Sequence, residues 1–198
     1  MSPPPGRKPG SRGIYAIEDS ALVLPPSVAL DTSFIVKALV ESETGHAACA
    51  AFVDRIRELG VTVVTSELVA VELAEAVVQI VLKERWGAQW RQHRDDGRTR
   101  RRSRRLLSST LRRYELILSS LPHISIPLGD VAEQAAELMV DYGLASYDAV
   151  HAATAIAAAA EAIVTTDTGF ALLPSRIESG HPHRWPLPGW HRASGPRR

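Results

Sequence analysis

The chain has 198 residues, of which 45% are hydrophobic and 23% are charged, as in an ordinary globular protein. This composition excludes a disordered chain, a collagen-like repeat and a small disulfide-rich domain. The net charge of +1 conceals an asymmetry, because residues 83–113 carry +9 and the rest of the chain carries −8.

Three features predict a cytoplasmic protein. No secretory signal is visible, and no apolar run reaches the ~20 residues that a membrane span needs. The single cysteine, Cys49, cannot close an intramolecular disulfide, and its Ala-rich surroundings favour a buried thiol. We therefore expect a reducing compartment and no membrane association.

Proline marks where the folded body begins and ends. Six of the 13 prolines lie before residue 27, and five lie after residue 173. Proline lacks a backbone N–H and is rare inside helices and central strands, so these clusters indicate irregular chain. We expect a folded domain over residues 27–174, between irregular tails at residues 1–26 and 175–198.

Within this domain, short apolar runs rich in β-branched residues alternate with longer segments of helical periodicity. Such alternation predicts an α/β fold with a mostly parallel sheet and helices on both of its faces. In chain order, the predicted elements are a strand at 27–30, helices at 33–40 and 45–59, a strand at 61–65, helices at 66–90 and 103–121, a strand at 124–128, helices at 130–142 and 146–160, and a strand at 162–165.

The positive segment 83–113 is an Arg-rich helical insertion in this pattern. Its centre, RQHRDDGRTRRRSRR, has no apolar residue at helical spacing, so we predict a solvated helix end and a loop there. An apolar stripe with steps of four and three residues follows and predicts a helix that packs on the domain. The stripe consists of Leu107, Leu111, Tyr114, Leu118 and Leu121.

Four carboxylates occupy positions where a parallel sheet gathers reactive groups. Asp31 directly follows the first predicted strand and Asp167 follows the last, so both lie at carboxyl ends of strands. Ligands and reactive groups collect outside these ends, and the two acids can meet there. Glu72 lies on the apolar stripe of a helix, and Asp148 lies in the first turn of another.

Each acid alone has an ordinary structural explanation. Asp31 and Asp148 suit the positive end of a helix dipole. Asp167 suits a turn, and Glu72 suits the solvated edge of its stripe. Together the four favour another explanation, because several carboxylates without His or Cys bind hard divalent cations such as Mg²⁺ and Mn²⁺. These ions promote phosphodiester displacement.

Four sequence blocks resemble the acidic motifs of PIN-domain ribonucleases, in particular the toxins of VapBC-type toxin–antitoxin pairs. The blocks are VALDTSFIVKAL, SELVAVELAEAV, ASYDAVHAATAIA and AIVTTDTGF, in this order, within residues 27–173. The resemblance implies a three-layer α/β/α fold and a metal-dependent endoribonuclease that cuts RNA. It also implies an antitoxin protein as a partner, and we expect a homodimer.

The resemblance also implies roles for individual residues. Ser33 and Thr165 match hydroxyl residues that would orient carboxylates through hydrogen bonds. We expect His151, one turn after Asp148, to have a packing or supporting role rather than that of a catalytic acid. Carboxylates that share a crevice repel one another, so without metal we expect either that at least one has a raised pKa or that the site loosens. The catalytic residues and ligands of Mg²⁺ or Mn²⁺ would be Asp31, Glu72, Asp148 and Asp167.

The Arg-rich insertion has three possible uses. As an arm that binds RNA, it would contact phosphates, and Trp86 and Trp90 would stack on bases. As a solvated helix pair, it would pack both tryptophans inward. Its basic surface could also contact an antitoxin or a second subunit. The predicted RNA-binding residues are Arg100, Arg101, Arg102, Arg104 and Arg105.

Two other function classes compete with the ribonuclease. A non-catalytic RNA-binding adaptor would keep the fold and use the Arg-rich arm, but the presence of all four acids favours the enzyme. A phosphatase with an Asp nucleophile would need a second aspartate two positions after Asp31, where the chain has Ser33.

Overall fold

The computed structural model describes residues 17–19, 21–167, 169–172 and 190–192. Its sheet has five parallel strands in the order β3-β2-β1-β4-β5, which confirms the predicted parallel sheet. Strands β1 and β4 are neighbours, so their carboxyl ends lie side by side. The strands are β1 (Ser27–Leu30), β2 (Thr62–Ser66), β3 (His123–Ile126), β4 (Ala162–Thr165) and β5 (Trp190–Arg192).

Six α-helices and two short 3-10 helices connect the strands in the described part of the chain. The predicted helix 66–90 ends earlier, because Gly87 has a φ of 52° that breaks it. Among the described helices, none combines the length and apolar character that crossing a bilayer requires. The α-helices are α1 (Thr32–Leu39), α2 (His46–Glu58), α3 (Val69–Trp86), α4 (Gly97–Ser119), α5 (Leu128–Tyr142) and α6 (Ser146–Ala157), and the 3-10 helices are Gly87–His93 and Gly169–Leu172.

Alternate side chains of the central strands enter two separate apolar cores. Val28 and Leu30 of β1 pack in a core with residues of α1, α2, α3 and α4. Ala29, which lies between them, packs in a second core with residues of α5 and α6. Because side chains alternate between the faces of a strand, both sheet faces are covered, and the three-layer α/β/α fold is confirmed.

Two smaller predictions about the first core are also confirmed. Cys49 on α2 is 1% exposed, and burial raises the pKa of its thiol to about 11. The apolar stripe of α4 enters the same core through Tyr114, and Leu111 and Leu118 pack against it. The stripe therefore anchors the insertion to the domain.

The Arg-rich centre of the insertion is helical, which corrects the predicted loop. Helix α4 begins at Gly97, after Asp96, whose carboxylate accepts hydrogen bonds from the Thr99 backbone N–H at 2.9 Å and the Thr99 hydroxyl at 2.7 Å. This is a favourable N-cap. Thr99, Ser103 and Thr110 are buried on the helix. Small hydroxyl residues thus form part of its buried face, and apolar periodicity does not detect them.

Parts of both predicted tails belong to the folded body. Ile17 and Leu22 are 4% and 8% exposed and lie in the first core. Strand β5 pairs in parallel with β4, in a stretch expected to be irregular. Its sequence, WHR, has no apolar run that would predict a strand. The other residues of the two predicted tails lie largely outside the described ranges.

Candidate active site

Asp31 lies at the carboxyl end of β1, immediately before α1. Its side chain is 6% exposed and makes no capping hydrogen bond to the helix. Its Oδ2 instead accepts hydrogen bonds from the hydroxyls of Ser33 and Thr165, the second at 2.7 Å. The structure therefore brings both predicted hydroxyl donors to Asp31. Helix capping does not explain this carboxylate.

A hydrogen-bond network fastens the end of β4 to the start of α1. The backbone N–H of Thr166 donates to Ser33 Oγ at 3.1 Å, and that of Asp167 donates to Thr165 Oγ1 at 2.9 Å. Each hydroxyl thus accepts from the chain after β4 and donates to Asp31. This arrangement fixes Asp31 relative to the chain that carries Asp167.

Glu72 reaches the site from the first turn of α3, and its side chain is only 9% exposed. Its Oε2 lies 2.7 Å from His151 Nε2 and accepts a hydrogen bond from the Thr32 hydroxyl at 2.6 Å. Glu72 is therefore not the solvated edge of its helix. The same His151 Nε2 lies 3.5 Å from Asp31 Oδ1, so the imidazole stands between two carboxylates.

The charge of His151 is set by these neighbours. Burial lowers its pKa, but the hydrogen bond to Glu72 and the negative charges of Asp31, Glu72 and Asp148 outweigh burial and raise the pKa overall. A raised pKa favours the protonated imidazole, whose positive charge offsets part of the negative charge of the acidic site. This position agrees with the supporting role expected for it.

Asp148 and Asp167 complete the acidic group. Asp148 is partly buried in the first turn of α6, and Asp167 is exposed just after β4. The backbone N–H of Gly169 donates to Asp167 Oδ1 at 3.1 Å. A Cβ atom on Gly169 would overlap the Asp148 carboxylate. The chain thus passes so close to Asp148 that only glycine fits without a shift.

The carboxylates influence one another across the site. Burial raises the pKa of Asp148 to about 6, and the negative charges of Asp31 and Asp167 add to the rise. The dipole of α6 favours a negative charge in its first turn and so acts in the opposite direction. Burial and repulsion therefore dominate, and the expected raised pKa in the acidic group is confirmed.

All four predicted acids line one cleft of about 970 Å³, which we call the acidic cleft. They come from four different elements: β1, α3, α6 and the end of β4. From the acids, the cleft continues beside α3 to Lys83 and Glu84.

The donor chemistry of the acidic cleft fits a hard divalent cation. Carboxylate and hydroxyl oxygens are the ligands that such ions prefer, and a cation would relieve the repulsion that raises the pKa of Asp148. Within the described ranges, however, no group of three or more His, Cys, Asp or Glu side chains is arranged to hold a metal ion. Glu72 already binds His151 and Thr32, so a cation would have to share this carboxylate.

The sequence matches one known family over most of the domain. The model of the family described as PIN domain matches residues 28–175, which include all four acids of the cleft. The chain belongs to the PIN domain family. The resemblance seen in the four sequence blocks is thereby confirmed at the level of the family.

Among solved structures, this PIN-domain chain is similar to VapC20 of Mycobacterium tuberculosis, which is described as a toxin that cleaves the sarcin-ricin loop. The two chains are 19% identical, and the alignment covers 73% of this chain and 92% of VapC20, with a TM-score of 0.47. No curated protein matches the chain.

Three of the five predicted RNA-binding arginines line a common pocket, and two do not. Arg100 and Arg104 are exposed on α4 but do not belong to that lining. The other three line a pocket of about 300 Å³ between α3 and α4, which we call the Arg pocket. Its lining consists of Val81, Thr99, Arg85, Arg98, Arg101, Arg102 and Arg105.

Trp86 and Trp90 pack within the insertion. Trp90 is 7% exposed. The His93 ring stacks on Trp86 with ring centroids 3.7 Å apart, and the Arg85 guanidinium lies 5.0 Å from the centre of the Trp86 ring. These contacts favour the packing explanation over base stacking.

Sequence reasoning missed four contributors to these two sites. Thr32 adjoins Asp31 in the DTS motif, but nothing in the sequence indicates that it reaches Glu72. Gly169 follows the last acid in TTDTGF, where a glycine beside a turn was the only signal. The sequence does not distinguish Arg85 and Arg98 from the other arginines of the insertion. Their place in the Arg pocket depends on how α3 and α4 pack against each other.

Proposed function

We propose that this PIN-domain protein is a metal-dependent endoribonuclease that hydrolyses phosphodiester bonds of RNA in the cytoplasm. The observation that carries the proposal is the acidic cleft. Four acids from four elements line it, and their proximity contributes to the raised pKa of Asp148. A fold keeps so much negative charge together at a cost in stability, which a function must justify.

In this proposal, Asp31, Glu72, Asp148 and Asp167 hold Mg²⁺ or Mn²⁺. When bound, such a cation polarises the scissile phosphate and offsets the charge that develops on it. The residues around the acids keep them in place. Ser33 and Thr165 donate hydrogen bonds to Oδ2 of Asp31, and Oδ1 faces His151.

His151 has a different task from these hydroxyls. It holds Glu72 by a 2.7 Å hydrogen bond and lowers the net negative charge of the cleft before substrate enters. It is 2% exposed, which leaves it little access to a leaving oxygen. We therefore assign it a positioning role.

The experiment is cleavage of a structured RNA by the purified protein in EDTA, Mg²⁺ or Mn²⁺. Asp31→Asn is the matched variant, because the amide oxygen still accepts hydrogen bonds from Ser33 and Thr165 while one charge is removed. We expect cleavage only when Mg²⁺ or Mn²⁺ is present. In the variant, we expect the cleavage rate to fall by about 100-fold or more. A variant from the same preparation that cuts as fast as the natural chain would refute the site.

We further propose that the protein is the toxin of a type II toxin–antitoxin pair and forms a homodimer. The four sequence blocks that resemble VapBC toxins support this. Induced expression in a bacterial host should stop growth for the natural chain and not for Asp31→Asn, and co-expression of an antitoxin should restore growth. Sedimentation equilibrium would test the homodimer.

A non-catalytic RNA-binding adaptor is the second candidate. The observation that favours it is the engagement of Glu72 by His151 and Thr32, together with the lack of a ready metal-binding group among the described residues. RNA binding without cleavage in every metal tested would support the adaptor.

A further inference from the structure

We propose that the Arg pocket binds a backbone phosphate of the RNA strand whose cleavage takes place in the acidic cleft. This inference rests on the proposed ribonuclease function and adds a separate substrate-binding site to it. The site is built by α3 and α4 together, and two of its arginines, Arg85 and Arg98, lie outside the group predicted from the sequence.

The lining of the Arg pocket has the chemistry of an anion site. Five arginines and no acid face it. Arg98, Arg101 and Arg105 follow one another at helical steps of three and four residues, so they share a face of α4, and Arg85 approaches from α3. Arginine presents a planar fork of N–H donors that matches two phosphate oxygens at once.

The positive charge of the pocket is only partly neutralised. Arg102 pairs with Glu84 at 2.8 Å, and Arg85 pairs with Asp96 at 3.2 Å. For Arg98, Arg101 and Arg105, the described residues provide no ion-pair partner. Three unneutralised guanidinium groups around a pocket of about 300 Å³ repel one another, and a polyanion would relieve that repulsion.

The pocket rests on a fixed framework. Val81, which also lines it, is 1% exposed on α3. Thr99 is 2% exposed and bonded to Asp96, so the first turn of α4 is firmly capped. Binding groups on packed helices are held more accurately than those on loops.

Glu84 connects the Arg pocket with the far end of the acidic cleft, and this favours RNA as the ligand of the pocket. Lys83 and Glu84 line the far end of the cleft, and Glu84 pairs with Arg102 of the pocket. From Glu72 to Arg85, α3 advances by about 20 Å at the usual rise per residue. At about 100° per residue, Val81 and Arg85 project from the side of α3 opposite to Glu72. A single strand of several nucleotides must therefore pass around α3 beside Glu84 to place one phosphate in the pocket and another beside the acids.

The experiment measures binding of a short fluorescein-labelled oligouridylate by anisotropy over a range of salt concentrations. EDTA is present throughout, so cleavage does not interfere. Arg101→Ala with Arg105→Ala removes two charges from the pocket. Arg100→Ala with Arg104→Ala removes the same two charges from the neighbouring surface of α4. Circular dichroism melting confirms that both variants are folded.

We expect the pocket variant to raise Kd about 10-fold and to flatten the slope of log Kd against log salt by about one, since each phosphate contact contributes about 0.7 on single strands. The matched variant should raise Kd about 2-fold or less. Arg101→Lys with Arg105→Lys should restore part of the affinity, because the charge returns without the fork.

Two results would overturn the inference. Equal losses in the two Ala variants would indicate a diffuse basic surface. An unchanged Kd for RNA in both Ala variants would indicate that this surface contacts a protein partner instead. Because the titration is done in EDTA, its outcome is independent of cleavage. If the pocket variant binds RNA more weakly but the natural chain cuts no RNA, the Arg pocket stands as an RNA-binding site and the nuclease proposal fails. If the natural chain cuts RNA but the pocket variant binds it with an unchanged Kd, the nuclease proposal stands and the inference about the pocket fails.

Discussion

The acidic cleft and the Arg pocket lie toward opposite ends of α3 and hold their charges differently. In the cleft, the Asp31 and Glu72 side chains are 6% and 9% exposed, and hydroxyl groups or an imidazole hold each of them. At the pocket, the paired side chains of Arg102 and Glu84 are 54% and 55% exposed. Water rather than the protein solvates most of the charge there.

This difference predicts how each region responds to substitution. Buried charges are expensive unless they are paired, so changes in the cleft should alter stability together with activity. Exposed ion pairs contribute little to stability, so changes in the pocket should alter binding alone. The following predictions run from the largest expected effect to the smallest.

The largest effect should come from His151→Ala, which removes the imidazole from the buried Glu72 carboxylate and leaves it the Thr32 hydroxyl. We expect a loss of about 3 kcal/mol in the free energy of unfolding in EDTA, measured by urea denaturation. The double variant with Glu72→Ala should lose less than the sum of the two single losses, because the coupled pair is already gone. Additive losses would show that the two side chains are not coupled.

Gly169→Ala tests how closely the chain passes Asp148. The new Cβ would overlap the Asp148 carboxylate, and we expect it to displace this acid and to slow RNA cleavage about 10-fold. Gly129→Ala is the matched control, since a Cβ atom there meets nothing within 4 Å. Equal cleavage rates in the two variants would show that the close approach of the Gly169 backbone to Asp148 does not matter for cleavage.

Asp148→Asn should stabilise the metal-free protein. The pKa of Asp148 is raised to about 6 in the folded state, so its ionised form costs stability at pH 7, and that cost disappears as the pH falls toward 4. With allowance for solvent screening, we expect a gain of about 1 kcal/mol at pH 7 in EDTA. Urea denaturation at pH 7 and pH 4 should show the gain only at pH 7. If Asp148→Asn were less stable than the natural chain at pH 7, repulsion between Asp148 and the other carboxylates would be contradicted.

The smallest effect should come from the pocket. Arg101→Ala with Arg105→Ala should change the free energy of unfolding by less than about 0.5 kcal/mol, because both side chains are exposed and alanine is a good helix former. Thermal denaturation in the same buffer as the cleft variants checks this. A large loss would mean that these arginines help to hold α4 on α3.

The sequence predicts the central elements well and the insertion poorly. Strands β1 and β4 have the predicted bounds, because apolar β-branched runs end at polar turns. Strand β3 ends at Ile126, before Pro127, whereas the prediction continued to 128. Helix α4 begins six residues before the predicted 103, since its first buried residues are hydroxyl-bearing and leave no apolar signal.

The site divides in the same way. Asp31 and Asp167 could be placed together from the sequence, because they follow strands of one parallel sheet. The contact of Glu72 with His151 could not, since it depends on how α3 and α6 are oriented in opposite layers. The Arg pocket likewise depends on the packing of two helices, which periodicity within either helix does not determine.

The central claim is that the Arg pocket captures RNA and the acidic cleft carries out the cleavage. The most direct test of this claim is the dependence of the cleavage rate on RNA concentration. The measurement compares the natural chain, Asp31→Asn and the variant with Arg101→Ala and Arg105→Ala. We predict that Asp31→Asn loses kcat, and that the pocket variant keeps kcat within about 2-fold while KM rises about 10-fold. A pocket variant that loses kcat at unchanged KM would contradict the assignment of RNA capture to the Arg pocket and of chemistry to the acidic cleft.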